Sequence, residues 1–489
     1  MTESAQAREL RWLRRFTDWA LLLFASVLTV GILAGALHDV SRAWDTWYYH
    51  LPFAARLGGM PDAGSFELSD INQARFAGFP LLGECIQALL WRLAGSPVAA
   101  NLLAFSSLPL FALFLRKHFG VPLHLTTLGL LAVPLIQIHA TSCYVDLPAN
   151  TAAAALVLSV IAAYAERDAP STRSLLGALG CAAIASNMKF LLEPIVLVAL
   201  ALLALRVLLP FARAGDANAR NRAWRRVGLI ALVLPVVFAT PLKNVILHHN
   251  PAYPERMSVF GAMLPGLEQP YSSTPIWLDH VPEPLRFFAS VFEFGLQPLA
   301  SHARWSVDQW SPPTRADYRM GGFFGVYVAF QLCLLVLRVI RERARPVRSA
   351  ALGFALLTCV VCVLPQAHEL RYYLCWMIVL VSLNCWLAVR QGALAPYPRA
   401  LGVASALALC AVLYATRFGY VYPSGVTLVK LIALEVDAKA LSTIAEGESV
   451  CVQRLPFALL WAAPFHPPRH YRLKQAETPA DCRGYRPID

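Results

Sequence analysis

The sequence predicts an all-α, polytopic membrane protein, on three observations. Apolar residues make up 57% of the 489 positions and charged residues only 15%, with a mean hydropathy of +0.52, a balance foreign to a soluble domain of this length. About eleven apolar runs reach the roughly 17 to 25 residues that a helix needs to cross the hydrocarbon core. Arg and Lys gather in short segments between those runs, which is how cytoplasmic loops are marked.

The runs fall at roughly 17–37, 97–115, 122–140, 147–165, 174–188, 190–209, 227–246, 320–339, 349–366, 372–390 and 398–416. The first follows Arg14 and Arg15 but is too long for a secretion signal and lacks a small-residue cleavage site, so it reads as an uncleaved anchor. The basic segments are Arg8, Arg11, Arg14 and Arg15; Arg116 and Lys117; Arg213, Arg220, Arg222, Arg225 and Arg226; and Arg338, Arg341, Arg343, Arg345 and Arg348. Eleven spans place all of them on one side, giving a cytoplasmic N-terminus and a C-terminus outside. The net charge of +12 is therefore a topology signal. Split among loops, these arginines form no single nucleic-acid-binding face.

Three stretches are expected outside the membrane, a first loop at 38–96, a large loop at 248–319 and a tail at 419–489, with residues 1–418 as the membrane domain. The end of the first loop, Phe79 to Leu93, has the pattern of an interfacial amphipathic helix. The large loop is rich in Pro and aromatics, as in HHNPAYPERM, which suggests short interfacial helices and turns. The tail reads as a helix near Lys430 to Ile444, a turn, and a strand at Ser449 to Gln453, hence a small α/β appendage. Nine of the eleven cysteines sit in or beside apolar runs without metal-type spacing. Cys451 and Cys482 lie in the tail, in an oxidising compartment, and are expected to form a disulfide. No internal repeat is evident, unlike transporters built on inverted repeats.

Ionisable residues near hydrocarbon tend to face a cavity or substrate path, so candidate chemistry sits where they cluster beyond the spans. Asp45 leads, in WDTWYYHLP, with Tyr49, His50 and Arg56 close behind. Such a carboxylate can act as a general base or share a metal ion with a neighbour; it can equally cap a helix with Pro52 in its first turn. Glu84 in FPLLGE and Asp146 in YVDLPAN occupy the same expected face, and three converging acids would activate a hydroxyl or amine or hold a divalent metal ion. Lys189, Lys243 and Arg371, the last in HELRYYL with His368, Glu369 and Tyr372, supply cations at that level. They suit a phosphate head group, or snorkel to lipid head groups. Trp44, Trp47 and Tyr48 read as interface anchors.

With these residues in place, the layout resembles the GT-C glycosyltransferases, the polytopic enzymes that include protein O-mannosyltransferases (glycosyltransferase family 39) and lipid A aminoarabinose transferases. The matching elements are DTWYYHLPFAARL, FPLLGE, YVDLPAN, HHNPAYP and HELRYYL, within residues 10 to 416. The resemblance implies inverting transfer of a sugar from a polyprenyl-phosphate carrier to a lipid, glycan or protein acceptor. It places that reaction on the periplasmic face of a bacterial inner membrane. Asp45 would lie nearest the acceptor nucleophile, and Asp146 and Glu84 would position substrate or a metal. Lys189, Lys243 and Arg371 would hold the lipid phosphate. Two departures from the family pattern stand out: Asp45 is not followed by Glu, and Phe79-Pro80-Leu81 replaces a Lys-Pro-Pro-like element. The competing class is a transporter or flippase for a lipid-linked or anionic substrate, which would set its ionisable residues near mid-membrane. An O-antigen ligase would lean instead on Arg and His of a late loop.

Overall fold

The computed structural model describes residues 5–59, 65–209, 217–259, 261–269, 274, 278–294, 305, 321–390, 397–453 and 455–488. Arg213 of the basic run, most of the large loop beyond 294 and the start of the expected span at 320 lie outside the described residues.

Helix α1 (Ala5–His38) leads into a five-residue π-helical turn, Thr46–His50, that runs directly into α2 (Leu51–Gly58). Pro52 falls in the first turn of α2, where a missing N–H costs nothing, and Gly59 closes the helix with φ of 64°. Strand β1 (Phe66–Glu67), α3 (Asp70–Gly78) and α4 (Leu82–Ala94) complete the first loop. The last covers the expected amphipathic segment, burying Glu84, Gln87, Ala88 and Trp91 at helical spacing.

The bundle continues with α5 (Asn101–Phe119), α6 (Leu123–Leu131), α7 (Pro134–His139), α8 (Asp146–Ala165), α9 (Thr172–Met188), α10 (Glu193–Leu208), α11 (Ala217–Val237) and α12 (Ala239–His248). A hairpin of β2 (Met257–Val259) and β3 (Ala262–Leu264) and helix α13 (Glu283–Val291) represent the large loop. Then come α14 (Gly325–Arg341), α15 (Arg345–Cys362), α16 (Leu374–Arg390) and α17 (Tyr397–Thr416).

Among the described residues, seven helices are long and apolar enough to cross a membrane, or eight if α11 and α12, bent by 57°, form one span. The expected eleven differ at three places. The run at 122–140 breaks ahead of Pro134, which disfavours the α region for Val133, and Val133 is extended at φ −97°, ψ 109°. Helices α9 and α14, with 17 residues each, stand at the lower limit of the length that crosses the hydrocarbon core.

Helices α8 and α16 lie at the centre, enclosed by their neighbours along most of their length. The alanine run at 152–155 in α8 lets α5, α9, α15 and α16 approach, since small side chains bring helix backbones together.

The tail folds as α18 (Leu428–Glu435), α19 (Ala438–Ser442), β4 (Ser449–Val452), β5 (Arg472–Gln475) and β6 (Arg486–Ile488). The single expected helix is split because Asp437 caps α19, accepting from the N–H groups of Lys439 and Ala440. The sheet is parallel throughout, in the order β1-β5-β4-β6, with Phe66 opposite Leu473. One edge strand therefore comes from the first loop. Cys451 and Cys482 are joined by a disulfide with Cα atoms 5.5 Å apart. Val450, Leu459, Trp461 and Leu473 of the tail share one apolar cluster with Trp47 and Ala55 of the first loop.

Candidate active site

Asp45 precedes the π-helical turn, but its side chain makes no capping hydrogen bond. Its Oδ2 instead lies 3.1 Å from Nη1 of Arg371, at the start of the span leading into α16. The Asp45 backbone N–H donates to the Tyr144 hydroxyl at 2.9 Å, and the Arg371 guanidinium lies over the rings of Tyr144 and Tyr372, 5.2 and 4.9 Å from their centroids. The π-turn, a distortion frequent at functional sites, presents Tyr49 and His50 next to this pair.

Asp146 occupies the first turn of α8, where the helix dipole favours a negative charge. Its Oδ1 accepts from Nζ of Lys189 at 2.5 Å. Lys189 sits between α9 and α10, with its ammonium 4.3 Å from the centre of the Tyr372 ring. One tyrosine thus borders both cations. Asn150, one turn along α8, donates to the backbone carbonyl of Asp146 and accepts from the N–H of Cys375. These bonds fix the starts of α8 and α16 relative to each other, and so Asp146 beside Arg371 in the turn that leads into α16.

The two acids differ in access. Asp45 has 21% of its side chain exposed, against 3% for Asp146. Asp45 is thus the more accessible of the two acids. The Tyr49 phenol is pushed well up by burial, with Asp45 adding to the rise, so it stays a neutral hydrogen-bonding group. Burial lowers the Lys189 ammonium from the ordinary lysine value, against the opposing pull of Asp146.

The remaining sequence candidates divide. His50 Nδ1 and Glu84 Oε1 form a separate buried pair at 2.7 Å, with the His50 ring 5.4 Å from that of Tyr144. Tyr49 packs on His50, Phe53 and Phe79. His368 and Glu369 are buried beside Arg371, and the His368 carbonyl accepts from Ser290 Oγ of α13 at 2.6 Å, tying the large loop to the site. Lys243 and Arg56 are not brought to the cluster. Lys243 Nζ donates to the Ala77 carbonyl at the end of α3, the favourable use of a cation at a helix C-terminus. Arg56 lies over the Phe76 ring and bonds Gln73. Of the three proposed interface anchors only Trp44 is exposed; Trp47 and Tyr48 are buried.

Among the described residues no three His, Cys, Asp or Glu side chains come together as a metal site, and Asp45 and Asp146 each face a cation. What assembles is two acid–base pairs across one aromatic ring.

Three residues at the site carry no mark that sequence reasoning used. Tyr144 bridges Asp45 and Arg371, although a tyrosine ahead of an apolar run reads as an interface residue. Asn150 could have been noticed as an amide within an alanine-rich span. His139 is fully buried, its ring 5.8 Å from Tyr144, and neither ring nitrogen has a hydrogen-bond partner among the described residues.

No protein-family model matches the sequence, and no curated protein matches it. Solved structures do. ArnT from Cupriavidus metallidurans in the apo state superposes with a TM-score of 0.51 at 15% identity, over 94% of this chain and 90% of that one. The same enzyme bound to undecaprenyl phosphate gives a TM-score of 0.48 at 14% identity over the same shares. The fold is that of ArnT.

Proposed function

We propose that the chain is an inverting glycosyltransferase that moves a sugar from a polyprenyl-phosphate carrier to a hydroxyl or amine acceptor, at the periplasmic end of a bundle in a bacterial inner membrane. The observation that carries this reading is the pairing of Asp45 with Arg371 and Asp146 with Lys189 around Tyr372 at one end of the bundle. Cations beside a reachable carboxylate match a reaction with an anionic leaving group and a protonated nucleophile.

In this scheme Arg371 and Lys189 bind the phosphate of the donor, the former through its planar fork. Asp45 takes the proton of the acceptor as its oxygen or nitrogen attacks the anomeric carbon from the opposite side. The bond from that carbon to the phosphate oxygen breaks, its electron pair leaves with the polyprenyl phosphate, and the two cations stabilise that charge. Displacement from the far face inverts the anomeric centre. Phosphate binding draws Arg371 from Asp45, so the base is released when the donor is present. Asp146 keeps Lys189 in place. A transport role is less well supported, since these ionisable groups gather at helix ends instead of mid-span.

The test is transfer by the purified protein from a panel of polyprenyl-phosphate sugars to glycan, lipid and peptide acceptors, with Asp45→Asn as comparison. The substitution is expected to lower turnover by about 100- to 10000-fold with donor binding retained. Near-wild-type turnover removes Asp45 from the mechanism, and movement of donor across a vesicle membrane without transfer favours the flippase.

A further inference from the structure

Tyr48 lies in the π-turn, three residues after Asp45 and next to Tyr49, yet its partners belong to the far end of the chain. Its hydroxyl donates to Glu477 Oε1 at 2.5 Å, an oxygen that also accepts from Ser69 Oγ at 3.2 Å. Its carbonyl accepts twice, from Gln475 Nε2 at 3.1 Å and Asn72 Nδ2 at 2.9 Å, and Asn72 donates in turn to Gln475 Oε1 at 3.0 Å. The other face of the ring meets Arg75, 5.2 Å from its centroid, which is held by two hydrogen bonds to Glu268 of the large loop.

Glu477 is itself fixed. Asp481 accepts from the N–H groups of Glu477 and Thr478 at 3.0 and 2.9 Å, and Cys482 beside it is bonded to Cys451 of β4. Gln475 is the last residue of β5. The tail therefore grips the π-turn at both the hydroxyl and the carbonyl of one residue, from a braced turn and a strand end.

We propose that Glu477, with Gln475, is a positioning residue of the candidate active site: through Tyr48 the tail sets the register of the π-turn, and with it Asp45 and Tyr49. This rests on the glycosyltransferase reading for its kinetic consequence but not for its structural one. A displacement of about 1 Å at a reacting group costs up to roughly 100-fold in rate. Loss of the Glu477 contact thus falls on kcat, whereas the donor KM, set by Arg371 and Lys189, changes little.

The experiment compares full-length Glu477→Ala, Glu477→Gln, Tyr48→Phe and the Tyr48→Phe/Glu477→Ala double variant. Glu477→Ala and Tyr48→Phe are each expected to lower kcat by about 10- to 100-fold. Glu477→Gln, which keeps the acceptor oxygen, restores most of that loss. The double variant is no worse than either single one, as for two groups acting through one contact. Hydrogen exchange of residues 45–58 provides a readout without substrate, expected to quicken in Glu477→Ala and to match wild type in Glu477→Gln. Unchanged exchange in Glu477→Ala, independent effects in the double variant, or equal losses in the Ala and Gln variants overturn the proposal. If the wild-type protein transfers no sugar from any polyprenyl-phosphate donor, the functional reading falls while the exchange data still decide this one.

Discussion

The Arg371 guanidinium and the Asp45 carboxylate, 326 residues apart in sequence, meet at 3.1 Å with the arginine almost wholly buried and the acid partly open. Proposed as the phosphate anchor, Arg371 should be only partly replaceable by lysine. Arg371→Ala is expected to raise the donor KM by about 10- to 150-fold, the 1.5–3 kcal/mol of a hydrogen bond to a charged group. Arg371→Lys should fall between this and wild type, because a point charge lacks the fork. Steady-state kinetics against donor concentration distinguish the cases, and a lysine variant equal to wild type would mean that the fork is not used.

The Lys189–Asp146 pair can be tested for its structural share. Lys189→Met leaves a carboxylate that is 3% exposed without its counter-charge, and breaking such a pair from one side costs about 3–5 kcal/mol. Replacing both groups, as Lys189→Met/Asp146→Asn, should recover most of that stability and none of the activity. Thermal unfolding in detergent gives the first quantity and turnover the second.

Burial depresses the Lys189 ammonium below its ordinary value of 10.5. Rising pH removes its proton earlier than from a free lysine, so donor affinity should decline on the alkaline side before that value is reached. Lys189→Arg, which stays charged, should move this decline to higher pH. A pH series of donor KM for both proteins measures it, and coincident profiles would place the titration elsewhere.

In the tail, Glu448 bonds Arg486 at 2.5 Å and accepts from the N–H of Ala445, which hold its carboxyl down to about 2 from an ordinary 4.5. The folded form thus binds this proton less readily than the unfolded chain. The stabilisation is complete above about 4.5 and is lost as pH falls from there through about 2. Pepsin cleavage within 443–488 should increase over that window, and Glu448→Gln should show high cleavage already at its upper end.

Much of the fold was legible because apolar runs stand out against water-soluble composition; the span count differs where length and not hydropathy decides, at the break of Val133–Pro134 and in two helices of limiting length. Asp45, Asp146, Lys189 and Arg371 could be picked out for a related reason: each is an ionic group bordering hydrocarbon-compatible sequence. Lys243 has the same signature, yet its ammonium serves the carbonyl end of α3, a role that composition cannot separate from ligand binding. Tyr144 gave no contrast with the aromatic residues that abound near spans. Glu477 and Gln475 had none either, since a polar residue in a polar tail looks like its neighbours, and only the pairing of β1 with β5 brings them to Tyr48.

That pairing also orders events during synthesis. Phe66 and Glu67 emerge early as a lone edge strand, with their partners Leu473 and Lys474 still to be made. Throughout translation of the helices between them the π-turn lacks its Glu477 and Gln475 contacts. On the proposed reading, a chain halted before its last strands lacks the contacts that set Asp45, so transfer waits until the tail docks.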